Sequence, residues 1–379
     1  MGFGSSHHEP RGLITVSPTN AQRWGVKPNY VLIEGLELRN AYQAYSFTDR
    51  VGATKTYTDN AACVFVERGE HIALRGNRVH GCGNGLFVAS SGDEAQQSRD
   101  ILMEGNSIYG NGTTSKRRDR HHNVYTEAIG MVFQFNHLGP LRDGSAGHGF
   151  KDRSAGTVVR YNWIEGGARL LDLVEPEDSI PNARKEPTFR QTYVYGNVLL
   201  IGKDAASRPI HYGGDNGDIA DYRKGTLFFY HNTVVLSVNE VDLWNTSLIQ
   251  LETQEESAEL RNNIIYSTGT THLTWGYEQG TMRLGVNWVN RPVPKGQANF
   301  KGKFEFLDGT DRTVVGTNPG FVDAAAKDFC LAPSSPARRV AGPLFEGLAK
   351  EFAVTLQYRK HLSAAARADT RDLGALACP

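Results

Sequence analysis

Residues 157 to 164 read Thr157-Val-Val-Arg-Tyr-Asn162-Trp-Ile164, and the same pattern recurs along most of the chain. A short run of alternating apolar residues ends in asparagine, and an apolar residue follows two positions later. The asparagines of the seven copies are Asn77, Asn106, Asn136, Asn162, Asn197, Asn232 and Asn263. They are 29, 30, 26, 35, 35 and 31 residues apart, and self-similarity at such spacings is typical of repeat architectures.

Each copy has the features of strands joined by a tight turn. Apolar and polar residues alternate, as in strands with one buried face, and asparagine tolerates the left-handed backbone conformation of a turn. An earlier copy, Val31 to Leu38, has Gly35 in the asparagine position, and a further strand-like segment such as Gly85-Leu-Phe-Val88 follows each turn. We therefore predict an all-β solenoid with at least two parallel strands per coil and asparagine side chains hydrogen-bonded down a column.

The composition agrees with a folded protein rich in turns. The chain has 379 residues, and 39% of them are hydrophobic. Its 41 glycines make up about 11% of the chain, above the usual share of roughly 7%. Lys and Arg (41) balance Asp and Glu (41), so no bulk charge favours nucleic acid or a membrane surface. No apolar run is long enough to form a transmembrane helix. We expect neither a nucleic-acid partner nor a membrane partner.

The four cysteines are too few for a disulfide scaffold. Cys63 and Cys82 lie 19 residues apart, and a bond between Cys330 and Cys378 would tie down the C-terminal residues. Free, buried cysteines are the alternative for that second pair. Residues 1–11 have no apolar signal-peptide core, so the sequence is compatible with a cytosolic protein or with one whose leader was removed.

The repeat resembles the right-handed parallel β-helix proteins of the pectate-lyase-like superfamily, over residues 30 to 290. The tail, Asp328-Phe-Cys-Leu-Ala-Pro-Ser-Ser-Pro336 followed by Asp372-Leu-Gly-Ala375, is similar to the closing segment of many secreted β-helix proteins. The resemblance implies a bacterial protein that is secreted or periplasmic, its leader absent from this chain.

Three regions follow from the repeat and the resemblance. We predict an N-terminal segment or partial cap at 1–29, the parallel β-helix at 30–290, and a C-terminal cap or tail packed on the helix at 291–379. The last region contains an alanine-containing, helix-capable run, Leu344 to Ala353. We expect it to cover the open end of the solenoid, because a stack of parallel strands otherwise leaves an exposed edge.

One face of the solenoid carries an unusual set of polar side chains. Aligning the further strands on their inward apolar residues places four side chains in one outward column: Tyr125, Lys151, Asp172 and His211. Four more polar residues flank that column: His122, Glu127, His148 and Arg153. The segments containing them, His122-Asn-Val-Tyr125, His148-Gly-Phe-Lys-Asp-Arg153 and Leu171-Asp172-Leu173, resemble bacterial β-helix proteins that act on polysaccharides. Asp152 stands where that pattern has a small residue.

These side chains fit β-elimination on a polymer of uronic acids. The reaction needs a cation against the C6 carboxylate, a base that removes the C5 proton, and an acid at the C4 leaving oxygen. Arg153 or Arg169 could clamp the carboxylate through the two-pronged guanidinium. A solvated ladder of ion pairs is the alternative interpretation of this cluster.

Lys151 is the first candidate for the base, because crowding by arginine and partial burial would lower its pKa. A contact with Asp172 would oppose that effect. Tyr125 and His211 are the candidates for the acid. Either becomes the base if Asp172 binds Lys151.

A basic loop precedes the strand of Tyr125. It reads Lys116-Arg-Arg-Asp-Arg-His-His122 and holds four cations and two histidines in seven residues. The loop is either a polar insertion or a wall of the groove that attracts a polyanion. The predicted substrate-binding side chains are Arg117, Arg120, His122, His148, Arg169 and Asp172.

Calcium is the one metal that the sequence suggests. Asp172 and Glu175 belong to the acidic segment Asp-Leu-Val-Glu-Pro-Glu-Asp, whose oxygens would suit Ca²⁺, and several β-helix lyases use Ca²⁺ in place of an arginine clamp. Asp215, Asn216 and Asp218 resemble a calcium loop by composition alone. No zinc pattern, Walker loop or dinucleotide fingerprint is present.

The predicted function is that of a polysaccharide lyase acting on an acidic polysaccharide or oligosaccharide. One alternative is a glycoside hydrolase, with Asp152 or Glu127 paired with Asp172 at a separation of about 5 to 10 Å. The other is a non-catalytic β-helix that binds glycan. We expect a monomer.

Overall fold

The computed structural model describes residues 9–18, 26–203, 205, 208–242, 245–291, 299–345, 347–348, 350–360 and 363–378. Most of the regular structure in these residues is β-strand, arranged in three long parallel sheets. Each coil adds one strand to every sheet, and the chain forms a right-handed parallel β-helix. The predicted fold class is confirmed, with three strands per coil where the sequence indicated at least two.

The first sheet has nine parallel strands. They are Gly12–Val16, Ala62–Val66, Asn84–Val88, Val124–Thr126, Phe150–Asp152, Leu171–Leu173, Ile210–Tyr212, Asn245–Leu251 and His272–Glu278. The strands become short near the middle of the sheet, where the loops that join them to the other sheets are long.

The second and third sheets have ten strands each. The second consists of Asn29–Glu34, Glu70–Arg75, Arg99–Glu104, Ile129–Gln134, Val158–Arg160, Gln191–Tyr195, Gly225–Tyr230, Glu256–Arg261, Thr281–Leu284 and Lys303–Phe306. The third consists of Glu37–Arg39, Arg78–His80, Ser107–Tyr109, His137–Leu138, Trp163–Glu165, Val198–Ile201, Thr233–Leu236, Ile264–Ser267, Trp288–Val289 and Val314–Val315. The stack therefore reaches beyond residues 30 to 290 at both ends.

Three antiparallel hairpins and a few short helices complete the described structure. The hairpins pair Ser46–Thr48 with Thr54–Thr56, Phe321–Asp323 with Asp328–Leu331, and Leu356–Arg359 with Ser363–Ala366. The single described α-helix is Ile180–Ala183, and the 3₁₀ helices are Glu9–Arg11, Glu94–Gln96, Pro187–Arg190, Thr310–Arg312 and Lys350–Phe352. No described helix is long and apolar enough to span a membrane.

Inward-pointing side chains of successive coils fill the interior. In the second sheet Leu74, Met103, Phe133, Val159 and Val194 occupy one register position and are all fully buried. Alternation within each strand sends the neighbouring residues outward. This alternation is the period that the sequence shows.

The corner between the second and third sheets holds the asparagine column. The backbone N–H and Nδ2 of Asn162 both donate to Asn197 Oδ1 at 2.9 Å, and Nδ2 also donates to the carbonyl of Phe133. The same side-chain contact joins Asn77, Asn106, Asn136, Asn162, Asn197, Asn232, Asn263 and Asn287. The predicted column is confirmed, and Asn287 extends it by one coil.

The C-terminal segment packs along the flank of the β-helix. Phe329 and Tyr358 lie against Trp163, with ring centroids 5.6 and 6.1 Å apart, and Phe352 stacks on Tyr193 at 4.0 Å. These contacts are made with outward aromatic residues of the second and third sheets. The segment thereby covers outward apolar side chains that would otherwise be exposed to water.

The predicted helical run from Leu344 to Ala353 does not form an α-helix in the described residues; 346 and 349 lie outside them. A single 3₁₀ turn, Lys350–Phe352, is present. Gly347 adopts a left-handed φ of 79°, which interrupts a right-handed helix. Phe345 and Phe352 insert instead among the outward aromatic residues of the second sheet.

Both cysteine pairs are disulfides. Cys63 is bonded to Cys82, and Cys330 is bonded to Cys378. The second bond joins the hairpin Phe321–Asp323/Asp328–Leu331 to the end of the chain. Of the two alternatives that the sequence left open for Cys330 and Cys378, the structure shows the bonded one.

Candidate active-site cleft

The strand register aligns Tyr125, Lys151, Asp172 and His211 in one column on the outer face of the first sheet. Three of these outward positions are nevertheless buried: Lys151 is 6% exposed, Asp172 0% and His211 1%. Long loops that leave and enter the sheet cover them. An outward column shielded from water is a place where charges interact strongly.

A cleft of about 770 Å³ lies over this column. One wall is the loop before strand Val124–Thr126, and the other is formed by the loops that follow strands Leu171–Leu173 and Ile210–Tyr212. Eight of the ten predicted catalytic and substrate-binding side chains line it: Arg117, Arg120, His122, Tyr125, His148, Lys151, Arg153 and Arg169. The other two, Asp172 and His211, lie beneath it.

Asp172 is the buried centre of the cluster. Its Oδ2 accepts from Lys151 Nζ at 2.6 Å and lies 3.4 Å from His148 Nε2. Its Oδ1 accepts from Arg169 Nη1 at 2.5 Å and lies 2.7 Å from His211 Nδ1. Burial acts to raise the pKa of Asp172, but Lys151 and the other neighbours outweigh it and hold the pKa well below its usual value. Asp172 is an ionised carboxylate that positions its neighbours.

Lys151 and Arg153 share a second carboxylate, Asp215. Lys151 Nζ donates to Asp215 Oδ2 at 2.5 Å, and Arg153 Nη2 donates to Asp215 Oδ1 at 2.7 Å. The side chain of Asp215 is 32% exposed, whereas those of Lys151 and Arg153 are 7% and 6% exposed. Sequence reasoning singled out Asp215 only as part of a calcium-like loop. Its pairing with two cations had no signal in the sequence.

Glu175 fixes the loop that carries Asp215. The backbone N–H groups of Asp215 and Asn216 donate to the Glu175 carboxylate at 3.0 and 2.6 Å. Arg153 Nη1 donates to the Glu175 carbonyl at 2.8 Å and lies 3.4 Å from its carboxylate. Glu175 is 0% exposed. The loop backbone is therefore anchored independently of the Asp215 side chain.

Two imidazoles stack at one side of the cleft. The rings of His122 and His148 are 4.9 Å apart, and the backbone N–H of His148 donates to His122 Nδ1 at 2.9 Å. Burial lowers the pKa of His122 well below its usual value and that of His148 to about 4. Both rings are therefore neutral at neutral pH. Nδ1 of His148 is buried and has no hydrogen-bond partner among the described residues.

Tyr125 supplies a phenol at the same side of the cleft. Its hydroxyl donates to Glu177 Oε2 at 2.9 Å, and its ring stacks on Phe87 at 4.6 Å. Burial raises the pKa of Tyr125 well above its usual value; Arg153 opposes the effect and Glu177 adds to it. The phenol keeps its proton at neutral pH and can act as a donor. Sequence reasoning noted Glu177 in the acidic segment but did not connect it with Tyr125.

His211, below the cleft, and Arg169, which lines it, are both engaged by neighbouring polar side chains. Nε2 of His211 lies 2.7 Å from Glu252 Oε1, so both ring nitrogens face carboxylate oxygens. Arg169 contacts His211 and Asp172 and donates to Gln250 at 3.4 Å. Neither nitrogen of His211 is open to a molecule in the cleft.

Arg117 and Arg120 form the exposed part of the wall. Both line the cleft, and both are exposed. Among the residues that the structure describes, neither guanidinium has a carboxylate within salt-bridge distance. These cations are available to an anionic ligand, in contrast with Lys151 and Arg153.

The carboxylates suggested for a hydrolase pair serve the fold instead. Asp152 is fully buried and accepts from Thr126 at 2.8 Å and Thr157 at 2.6 Å. Glu127 is 2% exposed and accepts from the backbone and hydroxyl of Ser179. Neither side chain lines the cleft. The predicted pairs with Asp172 are therefore not placed to flank a glycosidic bond.

The calcium ligands suggested by the sequence do not fit a metal in this arrangement. Asp172 is surrounded by Lys151, Arg169 and two histidines, and Glu175 is occupied by backbone N–H groups and Arg153. A divalent cation at either carboxylate would lie against existing positive charge. Ca²⁺ also prefers six to eight oxygen ligands, which neither neighbourhood offers.

No protein-family model matches the chain, and no curated protein matches it. Among solved structures, the crystal structure of pectate lyase Pel9A is similar, with a TM-score of 0.49 and 12% sequence identity. The match covers 92% of this chain and 71% of that one.

Proposed function

We propose that the protein is a polysaccharide lyase that cleaves a uronic-acid-containing glycan by β-elimination in the cleft of the first sheet. The observation that carries the proposal is a pair of buried cations, Lys151 and Arg153, that already bind a carboxylate beside a neutral imidazole and a protonated phenol. These are the three kinds of group that the elimination requires.

The electrons and protons of the step balance without a cofactor. A base takes the proton from C5 of the uronate, the C5–H electrons form the C4–C5 double bond, and the C4–O bond breaks. An acid gives its proton to the departing oxygen. Cations against the C6 carboxylate stabilise the charge that develops as C5 loses its proton.

Lys151 and Arg153 fit the carboxylate-binding role. Both are buried cations, and they bind the two oxygens of Asp215 from two sides. Because Lys151 also donates to Asp172, its ammonium is engaged by two carboxylates. This geometry favours Lys151 as a partner of the substrate carboxylate, and not as the base that the sequence suggested.

His148 and Tyr125 fit the two proton-transfer roles. With Nε2 of His148 directed at Asp172, the unpartnered Nδ1 holds the lone pair that a base needs. Because this nitrogen is buried, the ring must turn toward the sugar before it can take the C5 proton. His148 and Lys151 both contact Asp172 Oδ2, so base and carboxylate site lie side by side. Tyr125 supplies the proton for the leaving oxygen. His211, the other acid candidate, is enclosed by Asp172 and Glu252.

The loop arginines Arg117 and Arg120 support an anionic polymer as the substrate. Their charges, which have no carboxylate partner among the described residues, line the same cleft, where they could bind carboxylates of neighbouring sugar units. Two disulfides support an oxidising compartment, so we propose that the protein works outside the cytosol, secreted or periplasmic. We retain the monomer as part of the proposal.

The test is a panel of polymers of galacturonate, glucuronate, mannuronate and guluronate. Elimination produces an unsaturated uronate, which absorbs in the ultraviolet. We expect the absorbance to rise with one or more of these polymers. Tyr125→Phe should lower kcat for this reaction about 10²-fold or more, because it removes the proposed acid. Tyr109→Phe, which removes a hydroxyl from the third sheet, is the matched control and should retain the wild-type rate.

Other outcomes of the panel reject the proposal. Reducing sugar without ultraviolet absorbance would indicate hydrolysis, and binding without product would indicate a glycan-binding protein. Loss of the absorbance signal on addition of a chelator would contradict the absence of a metal from the proposed step.

A further inference from the structure

We infer that Asp215 occupies the subsite of the substrate carboxylate, and that a uronate binds by displacing this side chain from Lys151 and Arg153. The inference rests on the proposed function and deepens it, because it assigns the residue that sets selectivity and affinity for a uronic acid. Asp215 acts as an internal competitor for the two cations.

The two cations keep a permanent partner when Asp215 leaves. Lys151 remains bound to Asp172, which is 0% exposed, and Arg153 remains bound to Glu175, which is also 0% exposed. Asp215 is 32% exposed and is bound by both cations, whereas Glu177, which is 59% exposed, lies 3.4 Å from Arg153 alone. Asp215 is therefore the shared carboxylate that a ligand from the cleft can reach and replace.

The charge balance favours exchange over addition. Three cations, Lys151, Arg153 and Arg169, already face four carboxylates, Asp172, Glu175, Glu177 and Asp215. An added uronate would bring a further negative charge into this largely buried cluster, which is costly. A uronate that takes the place of Asp215 leaves the charge around the two cations unchanged.

The exchange requires only a side-chain rotation. The backbone N–H groups of Asp215 and Asn216 are held by Glu175 at 3.0 and 2.6 Å. Asn216 and Asp218 accept from backbone N–H groups two residues onward, which fixes the rest of the turn. The loop can thus stay in place while the Asp215 carboxylate turns toward solvent, and Asn216 and Asp215 both line the cleft.

The test measures binding by calorimetric titration with glucuronate, galacturonate, glucose and acetate. Asp215→Asn removes the competing charge, and we expect it to tighten uronate binding about tenfold, the scale of a close charge pair. Glucose binding should be unchanged, and acetate should bind more weakly than either uronate. Asp218 lies in the same turn and has no cation within salt-bridge distance in the described part of the chain, so Asp218→Asn should bind uronate as the wild type does.

Asp215→Ala provides a second variant that must agree with the first. Unchanged or weaker uronate binding in both variants would overturn the inference, and so would a shared drop in melting temperature, because Asp215 would then hold the cations in place. Equal gains for acetate and the uronates would overturn the assignment to a sugar acid.

Failure of this inference can be separated from failure of the proposed function. The titrations need no turnover, so they remain informative if no polymer yields an unsaturated product. If the wild type is an active lyase and Asp215→Asn does not lower KM, the function stands and the inference fails.

Discussion

Glu127 lies beneath the loop that carries Glu175 and Glu177, and it accepts three hydrogen bonds there. The backbone N–H of Asp178, the backbone N–H of Ser179 and the hydroxyl of Ser179 all donate to its Oε1. Burial raises the pKa of Glu127 from 4.5 to about 7, although the Ser179 contacts act in the opposite direction. One wall of the cleft is therefore attached to a carboxyl group that titrates near neutral pH.

This raised pKa makes stability depend on pH. The folded protein keeps the Glu127 proton up to about pH 7, whereas the unfolded chain loses it near pH 4.5. The contribution of Glu127 to the free energy of unfolding is thus complete below pH 4.5 and is lost as pH rises through 7. The loss amounts to about 3 kcal/mol at most. We expect Glu127→Gln, which cannot ionise, to gain stability relative to the wild type over that window.

Chemical denaturation at several pH values between 4 and 8 measures the difference. Glu34→Gln, on the exposed face of an edge strand, is the control for removing a carboxylate from the surface. A constant difference between Glu127→Gln and the wild type over this range would show that Glu127 is not protonated by the fold.

The outward column was predictable at the residue scale, and its partners were not. Aligning inward residues on a period of two is enough to place Tyr125, Lys151 and Asp172 in register. The partner of Lys151 at Asp215 lies 64 residues further along the chain. That contact depends on how two loops of irregular length fold, and the sequence has no period there.

Among the elements, the asparagine turns were the most predictable. The fixed asparagine marks the corner in every coil from Asn77 to Asn263. Asn287 was missed because its distance from Asn263 falls to 24 residues. The sequence indicated at least two strands per coil and left the third open, because strands of two to four residues such as His137–Leu138 are too short to show alternation.

The Leu344–Ala353 segment shows why a helix was wrongly predicted. Helix propensity favours a run containing Leu, Glu, Ala and Lys. Packing overrides that preference, because the outward rings of Tyr193 and Phe228 offer Phe345 and Phe352 a place to bury apolar surface. Local helix propensity does not take account of this packing, because Tyr193 and Phe228 are far from the segment in sequence.

Replacing one member of the asparagine column tests its energetic weight. In Asn162→Leu, the backbone N–H of Asn136 and its Nδ2 lose their shared acceptor in a buried corner. Each buried donor left without a partner costs about 1–3 kcal/mol, so we expect a clear loss of unfolding free energy. Urea denaturation provides the measurement.

Asn318→Leu is the matched control for that substitution. Asn318 is exposed and accepts a single hydrogen bond, from the backbone N–H of Gly320. We expect it to change the unfolding free energy much less than Asn162→Leu does. Equal effects of the two substitutions would show that the column adds no stability of its own.

On the scale of the whole molecule, the C-terminal segment is a layer added to a finished solenoid. Its contacts are with outward residues such as Trp163, Val198 and Leu200. The Cys330–Cys378 bond links the strand Asp328–Leu331 to the end of this layer, across a sequence separation of 48 residues. A crosslink of that size contributes about 2–4 kcal/mol, chiefly by restricting the unfolded chain.

Cys378→Ser should therefore loosen the layer before it affects the β-helix. We expect faster hydrogen exchange in the hairpin Leu356–Arg359/Ser363–Ala366, with unchanged exchange in first-sheet strands such as Ala62–Val66. Cys82→Ser, which breaks the bond to Cys63, is the control and should act on the N-terminal coils. Uniform acceleration across the whole chain in Cys378→Ser would contradict the view of the segment as a separate layer.

The charge of the whole molecule differs from the charge at the cleft. The formal net charge is zero, which excludes a globally basic protein. Arg117 and Arg120 nonetheless present exposed positive charge at one cleft. An anionic glycan would thus meet a local attraction that the total does not reveal.

The asparagine column also bears on how fast such a molecule can form. Its partners are 24 to 35 residues apart, a short separation in a chain of 379 residues, and contacts between residues close in sequence favour fast folding. Most all-β folds join distant segments and meet a larger cost of loop closure. Here the strands of each new coil pair with those of the coil before it, so the three parallel sheets are assembled through contacts that are nearly local.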